Sequence, residues 1–175
     1  MPQAQKHIEW CLDKARKEIE ECRKQGKRPK HRGLLKVRPD IDEAKKHLEK
    51  AEHNLMGITR FKDIGFSDWS MSAGFYCIYH CFLAIAIKFG YESGNQSCTI
   101  SLMKYLKQTK NLNLNDKFIE MLESEDVNNE TSVIDLREDY TYGVQTSMKD
   151  DAKVKELKQA CKEIIDTTKE IIYKK

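Results

Sequence analysis

Apolar side chains recur at helical spacing along most of the chain, in runs set apart by glycine, proline and polar breaks. Ile8, Cys11, Leu12, Ala15, Ile19 and Cys22 return every three or four residues and predict a helix over 3–25 that stops at Gly26. After Pro39, Ile41, Ala44, Leu48, Ala51, Leu55 and Ile58 step by 3, 4, 3, 4 and 3. That seam predicts a second helix, capped by Asp40 or Asp42 and ending near Gly65. Val154, Leu157, Cys161, Ile164, Thr168 and Ile171 repeat the same steps and predict the last helix. Between them, a third helix is predicted from Ser67, as cap, to Phe89, with Gly90 as its C-terminal stop. Shorter patterns predict helices over 100–108 and 115–123, an acidic loop over 124–131, and an element over 132–142. In that last element Val133 and Ile134 leave helix and strand both open.

The third helix carries no formal charge from Trp69 to Ile87 when His80 is neutral, a length that can cross a bilayer. Ser70, Ser72, Gly74, Tyr76, Tyr79 and His80 argue against a span, because polar groups are costly in hydrocarbon. The amphipathic helices on either side need an apolar partner, and a central helix of a bundle provides one. The expected fold is therefore all-α: an antiparallel four- or five-helix bundle with an N-terminal helical extension. The expected division is 1–39, helix and basic loop, and 40–175, the bundle.

Composition adds a charge asymmetry. The net charge of +3 conceals +7 over residues 1–38, from 12 basic and 5 acidic residues, and −4 over the remainder. Arg23 to Arg38 holds eight Lys or Arg and no acid. Arg23, Lys27, Arg28, Lys30, Arg32, Lys36 and Arg38 are candidate phosphate contacts, and a solvated, mobile loop is the competing reading. No aromatic residue lies in this stretch to stack a base, so sequence-specific reading there is not expected. The N-terminus lacks the apolar run of a signal peptide, which makes the cytoplasm the expected compartment. The six cysteines are scattered, and reduced thiols are expected. Cys77, His80 and Cys81 share a helix face but lack the further ligands zinc requires, so no metal is expected. His80 reads as a satisfied core histidine, and His47 and His53 show no evident partner.

KAEHNL at 50–55, FSDWSMSAGFYCIYHCFLAIAIKFGYES at 66–93 and LREDYTYG at 136–143, in that order, resemble the HEPN domain, the higher eukaryotes and prokaryotes nucleotide-binding family, in an archaeal-looking branch. The resemblance spans roughly 41–172. It implies an antiparallel helical bundle, commonly a homodimer, and in many members a neighbouring small nucleotidyltransferase in toxin-antitoxin or defence systems. It implies no cofactor. Other members are metal-independent ribonucleases that carry an Arg, four to six residues, then a His near the start of a late helix. Here Arg137 is followed by Glu138, Asp139, Tyr140 and Thr141, and Tyr142 takes the place of that histidine.

Arg137 can hold a phosphate with its planar fork of donors, whereas a tyrosine is almost wholly protonated at neutral pH and is a poor general base. Arg137 with Tyr142 is thus the candidate catalytic pair. Glu92, Asn95, Gln96, Arg137 and Tyr140 are the candidate ligand contacts; Asn95 and Gln96 hydrogen-bond but exchange no protons near neutrality. The competing readings are a plain inter-helix loop capped by Ser97 or Thr99, and a solvated helix start with Tyr140 and Tyr142 packed. The leading reading is a non-catalytic or weakly catalytic module that binds a nucleotide, RNA or a nucleotidyltransferase partner, without membrane association. The alternative is a toxin- or defence-type ribonuclease using Arg137 with Tyr142; a third is a purely structural interaction domain.

Overall fold

A computed structural model describes residues 3–123, 133–144, 146 and 151–174. The helices are α1 (Gln3–Lys24), α2 (Ile41–Asp63), α3 (Asp68–Lys88), α4 (Gln96–Lys110), α5 (Asp116–Glu120), α6 (Val133–Tyr142) and α7 (Asp151–Tyr173). Two short strands, β1 (Leu34–Lys36) and β2 (Tyr91–Ser93), complete the described elements. The all-α bundle is thus the observed class, with a two-stranded ribbon added. The acidic loop expected over 124–131 lies outside the described residues, as do residues 145 and 147 of the break over 143–147.

The predicted seams face inward. On α2, Ala44, Leu48, Ala51 and Ile58 are buried, with Ile41 and Leu55 partly so. Asp40 caps this helix, its carboxylate accepting from the backbone N–H of Asp42 and Glu43 at 3.0 Å. On α7, Val154, Leu157, Cys161, Ile164 and Thr168 are buried; the seam ends on Ile172 and leaves Ile171 half-buried. Both helices pack on α3, together with α4 and α6. α3 is the one helix among the described residues long and apolar enough to cross a membrane, and 78% of its most apolar window is buried inside the molecule. Its apolar surface serves the bundle, as an all-round hydrophobic helix at the centre must.

Several boundaries differ from the expected ones. Ser67 does not cap α3 through its side chain, because its backbone (φ −65°, ψ −20°) is already helical and a capping residue must be extended. α4 begins four residues earlier than predicted, at Gln96. The cap is Asn95, in extended geometry with its side-chain oxygen accepting from Cys98 N–H at 3.0 Å, and neither Ser97 nor Thr99 takes that role. The stretch 133–142 is helical, which closes the strand alternative.

The N-terminal segment is built into the molecule. α1 packs on α4 and β1, and β1 pairs antiparallel with β2 in the register Leu34↔Ser93, Leu35↔Glu92, Lys36↔Tyr91. Cys11 and Cys98, with Cα atoms 6.0 Å apart, form a disulfide, whereas reduced thiols were expected throughout. The two cysteines stand 87 residues apart in sequence, and only the side-by-side packing of α1 and α4 joins them. Cys22, Cys77, Cys81 and Cys161 are free.

His47 does have a partner, contrary to its sequence reading. Its Nδ1 lies 3.0 Å from Nδ1 of His80 across the α2–α3 contact. Burial pushes the His80 imidazole down to about 4, with the neighbouring His47 and Lys50 adding to the effect. Burial also lowers His47, against an opposing pull from Glu43. An unfolded histidine titrates near 6.5, so between roughly pH 6.5 and 4 the unfolded chain binds more protons than the folded one. The pair's contribution is therefore complete above about pH 6.5 and is lost as pH falls toward 4. The melting temperature is expected to drop more steeply over that window in the native chain than in a His80→Gln variant. Equal slopes for the two proteins would refute the assignment.

Candidate functional site

The family-motif residues meet where α6 crosses the first half of α3. The Arg137 guanidinium lies over the Phe75 ring, 4.4 Å from its centroid, and one of its nitrogens pairs with Glu138 at 3.4 Å. Its Nε is buried and has no hydrogen-bond partner among the described residues. Phe75 stacks on Tyr79 at 5.9 Å and meets Tyr76 edge-on at 5.2 Å. Ser72 and Thr141 bring their hydroxyls to 3.1 Å and fasten α6 to α3.

Ser72 also lines a cleft of about 440 Å³ between α2 and α3, with His53, Asn54, Arg60, Trp69 and Tyr76 among its walls. Asn54 Nδ2 is a second buried donor without a partner among the described residues. Two aromatic rings, an amide and a cation are groups that can grip a nucleobase and its phosphate.

Helix geometry separates Arg137 from Tyr142. Five residues on an α-helix turn the side chain about 140° away from its starting direction. Arg137 accordingly points into the α3 contact while Tyr142 is 80% exposed. Tyr140, on the same helix, packs half-buried against the core.

The 92–96 cluster is occupied with structural bonds. Glu92 pairs with His31 at 3.3 Å, tying the basic segment to β2. The Asn95 side chain accepts from Cys98 N–H and from the Ser97 hydroxyl, and Gln96 donates to the Leu122 carbonyl at 3.1 Å. Asn95 and Gln96 also line a second cleft, about 760 Å³, beside His7, Ser101 and Lys104. A chain of contacts links this loop to α6: Arg137 on Phe75, Phe75 on Tyr79, and the Tyr79 hydroxyl 3.4 Å from that of Thr99, which donates to the Asn95 carbonyl at 2.8 Å.

The basic residues form a surface of their own. Arg23, Lys27, Arg28, Lys30, Arg32, Lys36 and Arg38 are all exposed, on the end of α1, the following loop, β1 and the residues just after it. Of the eight cations from Arg23 to Arg38, Lys24 is engaged, with Glu20 at 3.1 Å. Arg23 and Lys36 flank a groove of about 550 Å³ between α1 and β1. The β1–β2 pairing sets this surface beside Glu92, so the basic stretch adjoins the 92–96 loop while α6 docks nearer the start of α3.

Sequence reading passed over His53 and Asn54 as site residues although they sit inside KAEHNL. Their signal was the motif itself; nothing in periodicity marks the wall of a cleft. A family model for the HEPN domain matches residues 44–173, and the chain belongs to that family. Comparison with curated proteins returns no match.

Proposed function

We propose that this chain is a HEPN recognition module that binds a nucleotide or RNA, without catalysis or with only weak catalysis. The observation that carries this reading is the divergence of Arg137 and Tyr142: the cation sits half-buried over Phe75 and the tyrosine hydroxyl stands in solvent, so the residue in the histidine's place does not accompany the phosphate-binding one. The Asn54 amide, a buried donor with no partner among the described residues, and the aromatic wall of the α2–α3 cleft favour ligand recognition there. The seven exposed cations favour a longer phosphate track. Met56, Ile64, Trp69 and Tyr76 are exposed apolar side chains around the same cleft, and a second copy of the chain is the proposed cover, making the unit a cytoplasmic homodimer. A small nucleotidyltransferase is the protein partner that the family relationship suggests.

Labelled single-stranded RNA is the probe, with light scattering on the same sample to read the dimer. Binding without cleavage is expected, and Arg137→Ala is expected to weaken it by about 10- to 100-fold, the value of a charge-assisted hydrogen bond. Changing Lys27, Arg28 and Lys30 to Gln should flatten the dependence of log affinity on log salt by about 2. Robust cleavage that Arg137→Ala abolishes would instead establish the ribonuclease reading. A monomer at micromolar concentration would remove the dimer.

A further inference from the structure

The contact between α1 and α4 concentrates metal-binding atoms that none of the family motifs contains. His7 and Cys11 are four residues apart on α1, so their side chains share one face. Cys98 and Ser101 are three apart on α4 and face them. A ring nitrogen of His7 and the sulfurs of Cys11 and Cys98 all lie within 4.8 Å of one another. The Ser101 hydroxyl sits 2.8 Å from His7 Nδ1 and orients the ring. Both cysteines are fully buried, while half-buried His7 and Ser101 line the 760 Å³ cleft and give the cluster an opening.

We propose that His7, Cys11 and Cys98 form a zinc-class site that is created when the Cys11–Cys98 disulfide is reduced. Two thiolates and an imidazole are the donor set of borderline-soft cations, and hard calcium or magnesium ions are excluded. Tetrahedral zinc, with bonds of about 2.3 Å to sulfur and 2.0 Å to nitrogen, needs donor atoms roughly 3.5 Å apart. With all three donors already within 4.8 Å of one another, side-chain rotation after the sulfurs part is the movement that this spacing requires. The fourth position falls to a water or an exogenous ligand.

The chemistry balances in two steps. A dithiol reductant transfers two electrons and two protons, the Cys11–Cys98 bond breaks, and the reductant closes to its own disulfide. The cation then displaces two thiol protons into solvent. A disulfide oxidant reverses the order: it takes two electrons from the two thiolates and is itself reduced to a dithiol, the Cys11–Cys98 bond re-forms and the metal is expelled, so this site would be loaded in a reducing compartment and emptied in an oxidising one.

Cobalt(II), which reports thiolate ligation by its near-ultraviolet charge-transfer band, tests the site on the full chain. The reduced protein is expected to bind one cobalt per chain with that band, to release it to zinc, and to bind none when oxidised. His7→Gln and Cys98→Ser should each lose at least tenfold in affinity, and Cys161→Ser, in the separate buried group of Cys77, Cys81 and Cys161, should lose nothing. His7 lies at the edge of the cleft, so a His7→Gln variant with native far-ultraviolet dichroism keeps the test decisive even when Cys98→Ser unfolds. The proposal is overturned when the reduced chain binds no cobalt, when folded His7→Gln binds it as tightly as the native chain, or when Cys161→Ser abolishes the band.

Discussion

Phe82→Ala is expected to destabilise the fold by about 3–5 kcal/mol, the range for emptying a buried aromatic site. Phe82 is fully buried on α3, the helix on which α2, α4, α6 and α7 all pack, so no solvent-facing rearrangement can refill the volume. Part of the loss is the transfer energy of the ring, and part is the cavity that neighbours held by four other helices close only incompletely. For a chain of 175 residues the melting temperature should fall by roughly 10 °C. Phe82→Leu, which keeps most of the volume, should cost about 1.5 kcal/mol or less. Urea unfolding of the three proteins provides the measurement; a loss below 1 kcal/mol for the alanine variant would mean that α3 is not the centre of the bundle.

Gly33→Ala should produce a loss of a different kind, about 1–3 kcal/mol and confined largely to the N-terminal segment. A methyl group on Gly33 would stand 2.3 Å from the Cys11 carbonyl oxygen and 2.8 Å from Ala15 N. These atoms belong to the backbone of α1, so no side chain can rotate aside and the helix itself must retreat. Gly→Ala also restricts the unfolded chain, which offsets about 0.4–1 kcal/mol where the new side chain fits without strain; here it does not. Hydrogen exchange is the discriminating measurement. Faster exchange in α1, with α3 and α7 unchanged, is expected; uniform acceleration or none at all would contradict the contact.

What could be read from the sequence follows from what is local. The seams on α2 and α7 were legible because burial imposes a 3.6-residue period on neighbours in the chain. Asp40 was legible as a cap because it precedes its own helix by one residue. Contacts between distant segments left no such trace. Cys11 and Cys98, or His47 and His80, are partners only because separate helices pack side by side. Ser67 and Asn95 show a second limit: both are good capping residues, and backbone dihedrals, invisible in a sequence, decided which one acts. At the candidate site, Arg137 was identified by motif, whereas its half-buried seat over Phe75 and the outward turn of Tyr142 came from the docking of α6.

The pairing of β1 with β2 bears on how this protein can be handled. The family match begins at residue 44, and a fragment cut there would lack α1 and β1. Tyr91–Ser93 would then present bare backbone donors and acceptors beside the apolar surface that Leu34 had covered. An uncovered strand next to exposed hydrophobic area invites other chains to pair with it. The N-terminal segment thus covers the β2 edge against strand-to-strand pairing between chains, cover that a trimmed fragment would give up together with the basic surface.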